Sequence, residues 1–174
     1  MQIGNKIFDT EHHTAVMAIL NVTPDSFSDG GKFDSLDVAL FHAEEMVNQG
    51  ADILDVGGES TRPGHIQITE DEEIARVTPV IEQLKKRFDV PVSIDTYKSR
   101  VAEAALQSGA DLVNDIWGLK YDENMAEVIA RHQAACCLMQ NREQIDYTDY
   151  VEDVLDDLRE SVQIAKAADI PDDR

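Results

Sequence analysis

Apolar residues in this chain fall into two kinds of run that take turns. Short blocks at residues 14–20 (TAVMAIL), 51–56 (ADILDV), 90–95 (VPVSID), 110–116 (ADLVNDI) and 134–139 (AACCLM) are too brief for ordinary helices. They read as strands buried on both faces. Between them the apolar positions recur with a period of 3.6. Leu36, Ala39, Leu40, Ala43, Met46 and Val47 share a helical face behind a cap at Asp34 or Ser35, stopping at Gly50. Ile74, Val77, Ile81, Leu84 and Phe88 form a second stripe behind a Thr69–Glu72 capping box, and Pro79 inside it predicts a kink. Further helices are expected over 99–107, near 124–132, and after a Thr148 cap along Val151, Val154, Leu155, Leu158, Val162 and Ala165. Residues 1–13 (MQIGNKIFDTEHH), with a Gly-Asn turn, predict a small hairpin that lids one end.

Five βα units in strict alternation mean an α/β fold with a parallel sheet covered by helices. A doubly wound open sheet suits the length, whereas a (β/α)8 barrel takes about 250 residues. The pattern alone leaves both open. With 174 residues, 43% of them hydrophobic, residues 1–174 read as one domain with a real core. The N-terminus has no basic-then-apolar signal pattern and no run approaches the roughly 18 residues of a membrane span, so the expected compartment is cytoplasmic, with no membrane partner. The two cysteines, Cys136 and Cys137, are adjacent and lack spaced metal-ligand partners, which predicts reduced core residues. A net charge of −20, from 35 acids against 15 bases, would repel nucleic acid. An anionic small ligand would then need backbone N–H groups, a metal ion or one of the few arginines.

Polar residues gather where the strands end: Asn21, Asp55, Asp95, Asn114 with Asp115, and Gln140 with Asn141. In parallel α/β folds that end binds ligands. A loop cap would explain any one of them, but four or five at one rim point to a shared pocket. Asp95 can accept two parallel N–H bonds and Asn114 can both donate and accept, so together they suit a fused heterocycle such as a pterin or purine. Asn21 offers a neutral oxygen to Mg2+, which keeps several waters and bridges to phosphate. Residues 55–64 (DVGGESTRPG) form a loop whose Gly pair permits close approach and whose Thr61 and Arg62 could meet phosphate or carboxylate oxygens. His12 and His13 have no metal-ligand spacing, and Ser26 and Ser60 have no adjacent His to activate them.

LNVTPDSFSDGG at 20–31, DVGGESTRPG at 55–64, SIDT at 93–96 and VNDIWG at 113–118, in order along the whole chain, resemble dihydropteroate synthases of the folate pathway. The resemblance implies a (β/α)8 barrel, here as its first five βα units. It implies an enzyme that joins p-aminobenzoate to a dihydropterin bearing a CH2-pyrophosphate and releases pyrophosphate, a sulfonamide target and a homodimer when full length. By that resemblance Asn21 is the Mg2+ ligand, Thr61 and Arg62 serve the pyrophosphate and p-aminobenzoate end, Asp95 and Asn114 hold the pterin, and Ile116 and Met139 wall its slot; Arg62 and Asp95 carry the catalytic roles. Gln140 stands where many members have His. The later motifs of the family do not occur in this chain, so it is expected to be C-terminally truncated, inactive alone and poorly soluble unless its edge strands pair. A methyltetrahydrofolate-binding methyltransferase domain would share the Asp95 and Asn114 logic without needing the first two motifs. A non-catalytic pterin-binding or interaction module is the other alternative.

Overall fold

The computed structural model describes residues 1–23, 32–60 and 67–174. A short antiparallel hairpin, β1 (Gln2–Ile3) and β2 (Lys6–Ile7), precedes five βα units. These are β3 (Met17–Asn21) with α1 (Lys32–Asn48), β4 (Ile53–Gly57) with α2 (Glu70–Arg87), β5 (Val92–Asp95) with α3 (Ser99–Gln107), β6 (Leu112–Asp115) with α4 (Met125–Arg131), and β7 (Ala135–Leu138) with α5 (Tyr150–Ala167). All five strands are parallel, in the spatial order β3-β4-β5-β6-β7. That order settles the architecture. A doubly wound sheet must reverse direction to place helices on both faces, whereas strands added always on one side, through right-handed crossovers, put every helix on one face. The chain forms five consecutive βα units of a (β/α)8 barrel.

The two faces of the strands have different packing. Outward residues Leu20, Leu54, Val56, Val92, Ile94 and Val113 join the helices in one large apolar cluster. Ile53, Leu112 and Ala135, pointing inward, form a second cluster with Ile3 of the hairpin, backed by Phe8 and Met17. The hairpin therefore closes the end of the barrel where the strands begin, as the lid expectation has it. The opposite end, where the strands finish, is left to polar residues.

Local chemistry explains where the elements begin and end. Thr69 caps α2 by accepting from Glu72 N at 3.2 Å, and four acids in its first turn with three bases in its last complement the helix dipole. α2 runs from Glu70 to Arg87 through Pro79 without a break. α5 is capped by Asp149, whose carboxylate accepts from Glu152 N, and not by Thr148 one residue earlier. Helix α1 begins at Lys32, ahead of the Asp34 or Ser35 expected to cap it. The chain after α5 returns to the free side of β7, where Cys136 N donates to Arg174 O at 2.8 Å. The cysteines are free, but only Cys136 packs against the core; Cys137 is exposed on the inward side of that edge strand, so the expectation of two core thiols is corrected by half.

Candidate active site

Strand register assembles the site. β4 pairs with β5 so that Asp55 lies beside Ser93 and Gly57 beside Asp95; β5 pairs with β6 so that Asp95 lies beside Asn114; β6 pairs with β7 so that Asn114 lies beside Cys137. Asn21 is opposite Gly57. Because strand residues alternate between faces, this places Asn21, Asp55, Ser93, Asp95 and Asn114 on the barrel's interior side, toward the end away from the hairpin. The sequence expectation that Asn21, Asp95 and Asn114 share one rim agrees with this register.

Gly57 makes room between two of them. A Cβ there would sit 3.0 Å from Asn21 Oδ1 and 3.7 Å from Asp95 Oδ2, so any side chain would fill the space that separates the amide from the carboxylate. Gly58 is required for a different reason: a Cβ would come within 2.7 Å of Val77 Cγ1 and 3.0 Å of Glu73 Cγ on α2. One glycine of the pair opens the pocket and the other lets a helix close on the strand end.

Asp95 is half-buried, and burial first, then the negative charges of Asp55, Glu73 and Asp115, push its carboxyl up to about 7. Its Oδ1 is a buried oxygen without a hydrogen-bond partner among the described residues. Asn114 Nδ2 donates to Asp55 Oδ2 at 3.0 Å, which leaves the rest of the amide for a ligand. Burial also pushes the Asp55 carboxyl up. Ile116 and Met139 lie two residues beyond the inward-facing Asn114 and Cys137, at positions that continue those rows; Ile116 is half-buried and Met139 is 46% exposed. Asp115, by contrast, is spent on structure: its two oxygens accept from Trp117 N and Leu119 N, both at 2.8 Å, and shape the loop into α4. Gln140 is spent similarly, donating to Tyr147 OH at 3.0 Å and Asp157 Oδ2 at 2.8 Å, with Arg142 on the same carboxylate. Thr61 and Arg62 lie outside the described residues.

Among the described residues no group of three His, Cys, Asp or Glu side chains could hold a metal ion. Asn21, exposed at the strand end with its Oδ1 turned toward Gly57, offers one neutral oxygen. That donor suits Mg2+ held mainly by waters and substrate oxygens, and does not suit an ion caged by protein alone.

A second polar cluster was not foreseen. Lys98 Nζ donates to Glu59 Oε2 and Glu73 Oε2, both at 2.8 Å, and to Ile68 O at 3.0 Å. Tyr97 OH donates to Glu59 Oε1 at 2.6 Å, Ile68 N to Glu59 Oε2 at 2.8 Å, and Thr96 Oγ1 to Glu73 Oε1 at 3.0 Å. Glu59, Glu73 and Lys98 are 5%, 1% and 5% exposed. Burial alone would raise Glu59, but its bonds from Lys98, Tyr97 and Ile68 hold it below the usual range, whereas for Glu73 burial wins and the carboxyl is raised. The network ties both flanks of residues 61–66 to the β5–α3 turn. Its sequence signal was Glu73, which falls on the same helical face as Val77, Ile81 and Leu84.

The model of the family described as pterin binding enzyme matches residues 17–174. A dihydropteroate synthase from Clostridium beijerinckii is 56% identical over 173 residues, covering 99% of this chain and 64% of that protein. One from Bacillus subtilis is 57% identical over 157 residues, covering 90% of this chain and 55% of that protein. Among solved structures, the dihydropteroate synthase of Clostridium difficile in the presence of pteroic acid superposes with a TM-score of 0.92 at 51% identity, covering 95% of this chain and 64% of that one. The Xanthomonas albilineans enzyme with 4-aminobenzoic acid gives 0.86 at 39% identity, covering 95% of this chain and 60% of that one. The chain thus spans less than two thirds of the length of each of these relatives. Barrel units, rim residues and family match agree: the chain belongs to the pterin-binding enzyme family.

Proposed function

We propose that this chain carries the pterin-holding side of a dihydropteroate synthase, which condenses p-aminobenzoate with a (dihydropterinyl)methyl diphosphate and releases pyrophosphate. The observation that carries this reading is Asp95 Oδ1, a buried carboxylate oxygen without a partner among the described residues, beside an Asn114 amide already anchored at one end. A pterin edge bearing adjacent N–H groups supplies the donors that Asp95 lacks.

The roles follow from what the reactants need. An aromatic amine is largely unprotonated at neutral pH, so attack requires positioning more than a strong base. Electron donation by the pterin ring favours a loose, cation-like methylene as the C–O bond to pyrophosphate breaks. Asp95 orients the ring and favours its developing positive charge, Asn114 fixes the register of the heterocycle, and Ile116 and Met139 flank its faces. Thr61 and Arg62 bind the departing pyrophosphate and the p-aminobenzoate end. Asn21 would hold a Mg2+ ion, which would supply charge neutralisation for the departing pyrophosphate. We place the protein in the cytoplasm and read its full-length form as a homodimer, with the remainder of the site supplied from outside these 174 residues.

The test is a titration with the pterin diphosphate and p-aminobenzoate in Mg2+, following binding by calorimetry and pyrophosphate by a coupled assay. Pterin binding by the chain, with pyrophosphate release once the barrel is complete, is the expected result. Methyltetrahydrofolate binding without affinity for the pterin diphosphate would assign the pocket to methyl transfer instead, and no pterin binding at all would overturn the reading.

A further inference from the structure

Asp55 has no contact assigned in the reaction above, yet it is 3% exposed and sits at the centre of the interior rim. Its Oδ2 accepts from Asn114 Nδ2 at 3.0 Å, although β4 and β6 are not neighbours in the sheet. In an eightfold barrel, alternate strands contribute side chains to the same interior layer, and this contact across β5 is of that kind. The residue of β5 opposite Asp55 is Ser93, whose small side chain lets the carboxylate and amide meet past it. Ser93 Oγ lies close enough to the Asp55 carboxylate to help hold its pKa down against burial, and among the described residues Asn114 Nδ2 is the side-chain donor with full hydrogen-bond geometry to it.

An asparagine amide has a donor end and an acceptor end that rotate into each other's places about a soft torsion. An ionised carboxylate can only accept. Contact with Asp55 therefore breaks the tie: Nδ2 is committed downward into the barrel, and Oδ1 is left as an acceptor for the pocket. We infer that Asp55 is a positioning residue of the pterin site, which fixes the Asn114 amide so that its oxygen meets an N–H of the heterocycle. The inference rests on the pterin reading given above and assigns Asp55 a role through Asn114, without contact to the ligand.

The experiment is a calorimetric double-mutant cycle with pteroic acid as the probe, on the chain and its variants Asp55→Leu, Asp55→Asn, Asn114→Ala and Asp55→Leu/Asn114→Ala. Leucine matches the aspartate in shape but accepts nothing, so about a tenfold loss of affinity is expected from one misdirected hydrogen bond. Asparagine at this position retains an accepting oxygen but can also face Asn114 the other way round, so its loss should be intermediate. In the Asn114→Ala background, Asp55→Leu should cost nothing further. Equal losses in both backgrounds, or Asp55→Asn as damaging as Asp55→Leu, would overturn the inference. Should Asp55→Leu fail to fold by circular dichroism, the Asp55→Asn arm is joined by NMR of the Asn114 side-chain amide. One Asn114 Nδ2 proton protected from exchange with solvent is expected in the wild type, with weaker protection in Asp55→Asn; an unprotected amide in the wild type would contradict the geometry. A wild-type chain that holds this amide rigidly yet binds no pteroic acid would sink the pterin reading itself, and the positioning role with it.

Discussion

Two sets of buried charge lie a few residues apart on the same rim, and they are built in opposite ways. In the cluster of Lys98, Glu59 and Glu73 every carboxylate oxygen has a partner and the lysine has three. In the cluster of Asp55, Ser93 and Asp95, the buried Asp95 Oδ1 has none among the described residues, and Asp55 and Ser93 have only each other and Asn114. A fully satisfied network holds elements together, whereas a buried polar group left open costs free energy that something must offset. On the pterin reading proposed above, the difference separates structure from site: the first cluster pins α2 and the flanks of residues 61–66 to the β5–α3 turn, and the second would accept a ligand that brings donors.

Breaking the closed cluster should have the largest effect. Lys98→Met leaves two buried glutamates uncompensated, and about 3–5 kcal/mol of stability should be lost in urea unfolding with an unchanged m-value. Gly58→Ala pushes a methyl into Val77 and Glu73 on α2, and a loss of about 1–3 kcal/mol should appear in the same measurement. The open cluster should respond with the reverse sign. Asp95→Asn removes a poorly solvated charge, so the apo protein should gain stability at pH 8. The gain should depend on pH. The folded carboxyl titrates near 7 against 3.8 in the unfolded chain, so the folded state binds its proton more tightly between those values. Wild-type stability from Asp95 therefore falls as pH rises through that window, by at most about 1.4 kcal/mol per unit, and levels off above it. The difference between wild type and Asp95→Asn in thermal melts should widen from pH 4 to 7 and then stay constant. Gly57→Ala is the mildest test: a methyl 3.0 Å from Asn21 Oδ1 should weaken pteroic acid binding a few-fold and leave folding unchanged.

The barrel units were legible because buried parallel strands and amphipathic helices leave two different periods in the sequence. Each of the five strands and five helices stands within a few residues of its expected place. The choice of barrel over doubly wound sheet was not legible from periodicity, because strand order is a tertiary property; only the resemblance pointed to it. Asn21, Asp95 and Asn114 could be found because polar residues closing apolar strands are anomalous. Asp55 was visible as a strand-end acid, but its bond to Asn114 was not, because it joins strands that are two apart. Lys98 and Glu59 looked like ordinary charges on a turn and a loop; Glu73 alone stood out, on the apolar face of its helix, and the packing of α2 against Gly58 brings it to the other two. Gln140 was a bare departure from the family pattern in sequence, and the structure gives its occupation: it ties Tyr147, in the loop before α5, to Asp157 on that helix.

The central claim is that the open cluster is a pterin site with Asp95 as its anchor. Calorimetric titration of pteroic acid into wild type and Asp95→Ala, on a complete barrel, tests it most directly. The account predicts binding in the wild type and an affinity at least about a hundredfold weaker in the variant, the loss expected when charge-assisted hydrogen bonds disappear. Near-normal affinity in Asp95→Ala would contradict it.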